Sequence, residues 1–122
     1  MINLEGPRQP PKNGEPAKAL AILLHGYGAD GNDLIGLAPV LSSQLPHVEF
    51  ISPHAPFPCE MSPFGRQWFS LGDRSADAML GGARMAAQIL DDFLNEQLEK
   101  SKLTPDRFCL LYTSDAADEC LC

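Results

Sequence analysis

The chain has 122 residues, 44% of them hydrophobic and 20% charged, an ordinary balance for one globular domain or less and a poor one for a disordered chain. Its net charge of −7, from nine basic and 16 acidic residues, argues against nucleic-acid binding, which needs clustered Lys and Arg to neutralise phosphates. No apolar run approaches the roughly 20 residues of a bilayer span, and the start, Met1-Ile2-Asn3-Leu4-Glu5-Gly6-Pro7, lacks the basic-then-apolar pattern of a signal peptide, so a cytoplasmic location is expected.

The first eighteen residues carry Pro7, Pro10, Pro11 and Pro16. Proline fixes φ and removes a backbone donor, so this segment is excluded from the inside of a sheet. Ile2 to Leu4 suits a short edge strand, and the rest reads as surface loop. Ala19-Leu20-Ala21-Ile22-Leu23-Leu24 is apolar without a break and of strand length, the pattern of a strand buried on both faces. A glycine-rich loop, residues 26–33, follows. Leu34, Leu37, Ala38 and Leu41 then recur at helical spacing, with Pro39 marking a first turn or a kink.

Val48-Glu49-Phe50-Ile51-Ser52-Pro53 is a second strand, stopped by proline. Residues 53–72 hold four prolines and two glycines and read as a long irregular excursion, a kind of segment that is usually functional. Ser75 and Asp77 suit a helix N-terminus. Met79, Ala83, Ala86, Leu90, Phe93, Leu94 and Leu98 then form one broad apolar face running to Lys102. Gly81-Gly82 weakens the first turns, so the firm helix is expected to begin near Ala83. After the turn Thr104-Pro105-Asp106-Arg107, Phe108 opens a third strand. The alternation β-loop-α-β-loop-α-β predicts an α/β fold, a parallel central sheet with flanking helices.

The last fourteen residues are different in character: they hold Cys109, Cys120 and Cys122, three of the four cysteines, and Asp115, Asp118 and Glu119 with no basic residue. Residues 109–119, Cys-Leu-Leu-Tyr-Thr-Ser-Asp-Ala-Ala-Asp-Glu, resemble the in-frame translation of a transposase-end adapter used in preparing sequencing libraries. The expected division is therefore a partial domain over 1–108 and a non-native tail over 109–122. The competing reading is a genuine strand, Phe108 to Tyr112, followed by a polar turn.

The loop after the first strand contains Gly26-x-Gly28-x-x-Gly31, formally a dinucleotide fingerprint. Asp30 inside the supposed pyrophosphate cradle opposes that reading. So does the lack of an acidic residue at the carboxyl end of the second strand, since Glu49 stands at its start. The same geometry serves another anion, because backbone N–H groups at a strand-to-loop turn can stabilise the oxyanion of a tetrahedral intermediate. A non-enzymatic α/β module with a genuine tail is the third alternative.

Three blocks favour the oxyanion reading. Leu23-Leu24-His25-Gly26-Tyr27-Gly28-Ala29-Asp30-Gly31-Asn32-Asp33-Leu34 resembles the oxyanion loop of the phospholipase/carboxylesterase family of α/β-hydrolases, which includes the acyl-protein thioesterases. Ser52-Pro53-His54-Ala55-Pro56 and Gly65-Arg66-Gln67-Trp68-Phe69-Ser70-Leu71 resemble further blocks of the same family, in its order and at its spacing. The resemblance implies an N-terminal half of an α/β-hydrolase fold, acting on a small-molecule acyl ester or thioester through a Ser-His-Asp triad, with no cofactor. It puts an oxyanion donor on the backbone N–H of Tyr27, with Gly26 and Gly28 allowing the turn. It sets Trp68 in the acyl or substrate cleft, with a plain core tryptophan as the competing reading.

His25 is implied as a support of the loop rather than a base. Asp30 and Asp33 are expected to shape the turn and cap the next helix, His47 and His54 to be loop or surface residues, and Cys59 to be incidental. No ligand cluster suggests a metal. The family's nucleophile elbow, G-x-S-x-G, belongs after the strand that begins near Phe108, with Asp and His later. None is found here. Ser114, within Tyr112-Thr113-Ser114-Asp115-Ala116, lacks the flanking glycines that an elbow requires.

Overall fold

The computed structural model describes residues 4–26, 28–60, 65–70, 72–114 and 117–121. The expected edge strand at Ile2–Leu4 falls largely outside these residues, and Leu4 itself is a buried loop residue. The edge is formed instead by β1, Arg8–Gln9, lying between the prolines that bracket it. Two residues suffice because an edge strand needs partners on one side only.

The apolar run becomes β2, Ala19–Leu24. The next elements are α1, Gly31–Ile35, α2, Ala38–Gln44, and β3, Val48–Ile51. Pro39 splits the expected helix: it stands in the first turn of α2, where its missing N–H has no bond to make. The long excursion is less irregular than expected, since β4, Phe57–Pro58, and β5, Arg66–Gln67, pair antiparallel within it. The chain continues through α3, Ala76–Ser101, β6, Phe108–Ser114, and β7, Ala117–Leu121.

The five-stranded sheet has the order β1-β3-β2-β6-β7. β2 lies parallel to β3 on one side and to β6 on the other, and antiparallel strands close both edges. Alternation along β2 builds two cores. Leu20 and Ile22 join Ile51, Ile89 and Phe93 under α3. Ala21 and Leu23 join Val48, Phe50, Leu34 and Ala38 under α1 and α2. That is why the run contains no polar residue: both faces of β2 are covered, and Ile22 and Leu23 are fully buried. The crossover from β2 to β3 thus runs over one face, and the crossover from β3 to β6 returns over the other. The strand order reverses at the carboxyl end of β2, the place where open α/β sheets hold ligands.

Helix α3 runs over 26 residues and starts seven residues earlier than the glycines suggest. Ser75 caps it, its Oγ accepting from the Ala78 N–H at 3.3 Å. Gly81 faces open space, whereas a Cβ on Gly82 would stand 2.8 Å from Cδ2 of Phe69. The pair therefore persists in a helix because one member makes room for an aromatic ring, at a propensity loss of roughly 1 kcal/mol each. Gly81→Ala is expected to raise stability by about 0.5–1 kcal/mol in urea unfolding. Gly82→Ala should give no such gain, because Phe69 must move.

Candidate active site

His25 follows β2 directly and is 3% exposed. Its Nε2 accepts the Ala55 N–H at 2.9 Å, so the proton sits on Nδ1, which donates to the Gly26 carbonyl at 2.8 Å. Burial lowers its pKa below the ordinary 6.5; the adjacent His54 acts in the same direction, against the Gly26 bond and the charges of Asp30 and Asp33. With both nitrogens committed to backbone, His25 holds the loop in place and is not poised as a base. The unfolded state binds a proton more readily than the folded one. Stability is therefore full above the unfolded value and falls as pH drops from about 6.5 through the depressed folded value. Urea midpoints measured across that range are expected to decline, and His25→Gln, which keeps an acceptor near Nε2 without titrating, should flatten the decline.

Trp68 locks the same corner. Its Nε1–H donates to the His25 carbonyl at 2.9 Å, and the two rings lie 5.5 Å apart at 32°. The tryptophan is half-buried and packs against the core under α3. It also walls an open apolar groove of about 340 Å³ formed with Leu24, His25, Phe69, Ala83, Ala86, Ala87 and Leu90. Core packing and groove lining thus fall on the same side chain. The groove exists because Gly82 lets Phe69 approach α3 and because small alanines follow it.

The glycine-rich loop is held by its own backbone and by two neighbouring segments. Gly28 has φ +82°, a left-handed conformation that glycine adopts without strain. Its N–H donates to the Arg66 carbonyl at 3.0 Å, and the Arg66 N–H donates back to Ala29 at 2.8 Å. Gly65 makes that crossing possible, since a Cβ there would lie 2.1 Å from the Gly28 oxygen. Ala29 N–H closes a turn onto the Gly26 carbonyl at 3.2 Å. Asp30 and Asp33 cap α1 reciprocally, as expected: the Asp30 N–H donates to the Asp33 carboxylate, and the Asn32 N–H to Asp30 Oδ1, each at 2.9 Å. The Gly31 N–H donates to His54 Nδ1 at 2.9 Å and the Asp33 N–H to the Asp30 carbonyl at 3.1 Å. Every amide from 28 through 33 is thus engaged within the chain. A phosphate cradle needs those donors free, so the nucleotide-binding alternative loses its physical basis.

Three residues unremarked or discounted in the sequence shape this corner. Arg66 donates from Nε to the Ala55 carbonyl at 2.9 Å and from Nη2 to the Pro56 carbonyl at 3.0 Å. Ser52 Oγ donates to the Gly31 carbonyl at 2.7 Å, and His54 holds the N–H of the same residue. A polar cavity of about 450 Å³ opens beside them, lined by Glu5, Asp30, Asn32, His54 and Arg66 among others. Tyr27, the expected oxyanion donor, lies outside the described residues, between Gly26 and Gly28. Among the described residues no serine hydroxyl bonds a histidine ring, no group of ligands is arranged for a metal, and no helix is long and apolar enough to cross a membrane.

A mixed sheet whose strand order reverses at a tightly pinned glycine loop, beside an apolar groove, is the N-terminal part of an α/β-hydrolase fold. The family model described as Phospholipase/Carboxylesterase matches residues 11–111, and the chain belongs to that family. The crystal structure of esterase PE8 is similar, with 39% identity and a TM-score of 0.83, over 91% of this chain and 52% of that one. A carboxylesterase from Mesorhizobium loti shares the fold at 23% identity and a TM-score of 0.60, over 84% of this chain and 46% of that one. The chain therefore spans about half the length of these enzymes. The family match reaches three residues past position 108, into the adapter-like segment, where the backbone of β6 continues to Ser114.

Proposed function

We propose that this chain is the N-terminal half of a serine carboxylesterase or thioesterase, lysophospholipase-like, that hydrolyses small acyl esters or thioesters. The reaction is acyl transfer: serine attack on the carbonyl carbon, proton transfer to histidine and then to the leaving group, and hydrolysis of the acyl-enzyme by water. In this reading the Tyr27 backbone N–H faces the developing oxyanion, and Gly26 and Gly28 give the loop its shape. The acyl chain lies along the groove beside Trp68. No cofactor takes part, and the cytoplasmic location expected from the sequence goes with it.

The observation that carries this reading is the engagement of all six amides from 28 to 33. It takes those positions out of consideration, which supports a donor at the head of the loop. The esterase PE8 likeness supports the same chemistry.

We read the triad as belonging to sequence beyond residue 108, residues 109–122 as non-native, and the 122-residue chain as inactive. Reading the source genome across the junction after Phe108 tests this. The expected continuation is a strand ending in G-x-S-x-G, then Asp, then His. A contiguous genomic match to 109–122 overturns it.

A further inference from the structure

We propose that His54 is a positioning residue for the loop that carries the oxyanion donor, acting through Gly31; this rests on the reading of that loop given above. The grip on Gly31 has two points. His54 Nδ1 accepts the Gly31 N–H at 2.9 Å, and Ser52 Oγ donates to the Gly31 carbonyl at 2.7 Å. The gripping segment is itself anchored: the Ser52 N–H donates to the Pro7 carbonyl at 2.9 Å and the His54 N–H to the Glu5 carbonyl at 2.7 Å. A Cβ on Gly31 would stand 2.2 Å from the Ser52 backbone carbonyl oxygen and 3.1 Å from His54 Nδ1, so the close approach of this segment requires the third glycine of the motif. A phosphate has no part in it. At its other end the loop is fixed to Arg66. That grip is on Gly28 and Ala29, so the segment from 28 to 31 is held from two neighbouring loops, and Tyr27 directly precedes it in sequence.

The clamp has a chemical condition. An imidazole nitrogen accepts only when it carries no proton, so His54 must be neutral with its proton on Nε2. Protonation turns the acceptor into a donor aimed at another donor. The charged residues lining the cavity with His54 are Glu5, Asp30 and Arg66, and His25 interacts with it electrostatically.

The test has two arms. In the ¹⁵N-labelled 122-residue chain, the Gly31 amide should be protected from hydrogen exchange by its bond to His54. His54→Asn, whose side-chain oxygen takes the place of Nδ1, should keep the amide protected. His54→Leu should speed its hydrogen exchange about tenfold or more, the loss of one hydrogen bond worth roughly 1.4 kcal/mol. In the enzyme completed with its genomic downstream sequence, His54→Leu should lower kcat about tenfold at nearly constant KM, and His54→Asn should restore it. A Gly31 amide that exchanges no faster in His54→Leu, or a His54→Leu enzyme with full kcat, overturns the proposal. A completed protein with no esterase activity refutes the proposed function instead, and the clamp is then judged on the amide. Should His54→Leu fail to fold, His54→Ala takes its place in both arms.

Discussion

Tyr27→Pro in the completed enzyme is expected to lower kcat by about 10²–10³, the usual loss when one oxyanion donor is removed. Tyr27→Phe should stay close to the parent. The contrast matters because the proposed donor is a backbone N–H: proline deletes it, whereas phenylalanine deletes only the phenol. The neighbouring amides offer no substitute. Those of Gly28, Ala29 and Gly31 already donate to Arg66, Gly26 and His54. Distortion of the loop by proline would add to the loss, so KM for a short ester should be read alongside kcat. A Tyr27→Pro enzyme with parental kcat contradicts the assignment.

Gly65→Ala is expected to destabilise the fold by about 3 kcal/mol or more, from overpacking and two strained hydrogen bonds. The added Cβ would meet the Gly28 oxygen at 2.1 Å, its carbonyl carbon at 2.5 Å and its Cα at 2.9 Å, all backbone atoms that no rotamer change can move aside. The two loops must part. Their separation breaks the paired bonds between Gly28 and Arg66 and between Arg66 and Ala29. Arg66 would then lose its aim at the Ala55 and Pro56 carbonyls. Urea unfolding measures the shift, and a midpoint equal to that of the parent would show that the crossing is looser than its geometry.

What could be read from the residues was local. Six consecutive apolar residues mark β2 as doubly covered, because a strand carries its environment in its own alternation. Ser75, Asp30 and Asp33 announce their caps because capping spans three residues. Pro39 marks its own position in a first turn. The crossings were not legible. His54 meets Gly31 across 23 residues of sequence, and Arg66 reaches Ala55 across eleven. Neither pairing leaves a periodic trace, so His54 read as a loop histidine and Arg66 drew no notice. Gly82 misled for the same reason. Propensity counted its helix cost, and only the fold brings Phe69 against it. The Gly26-x-Gly28-x-x-Gly31 pattern was ambiguous because glycine records close approach without saying what approaches. Here Gly31 answers to the backbone carbonyl of Ser52, whereas Gly28 answers to a left-handed φ, and a Cβ there would meet nothing.

Hydrolysis of a short p-nitrophenyl ester, followed side by side for the 122-residue chain and for residues 1–108 joined to their genomic continuation, tests the central claim most directly. The completed protein should turn over and be silenced by replacing the elbow serine, while the 122-residue chain should not exceed buffer, as the proposal that the triad lies beyond residue 108 requires. Turnover by the 122-residue chain itself, or none by the completed protein, would contradict the reading.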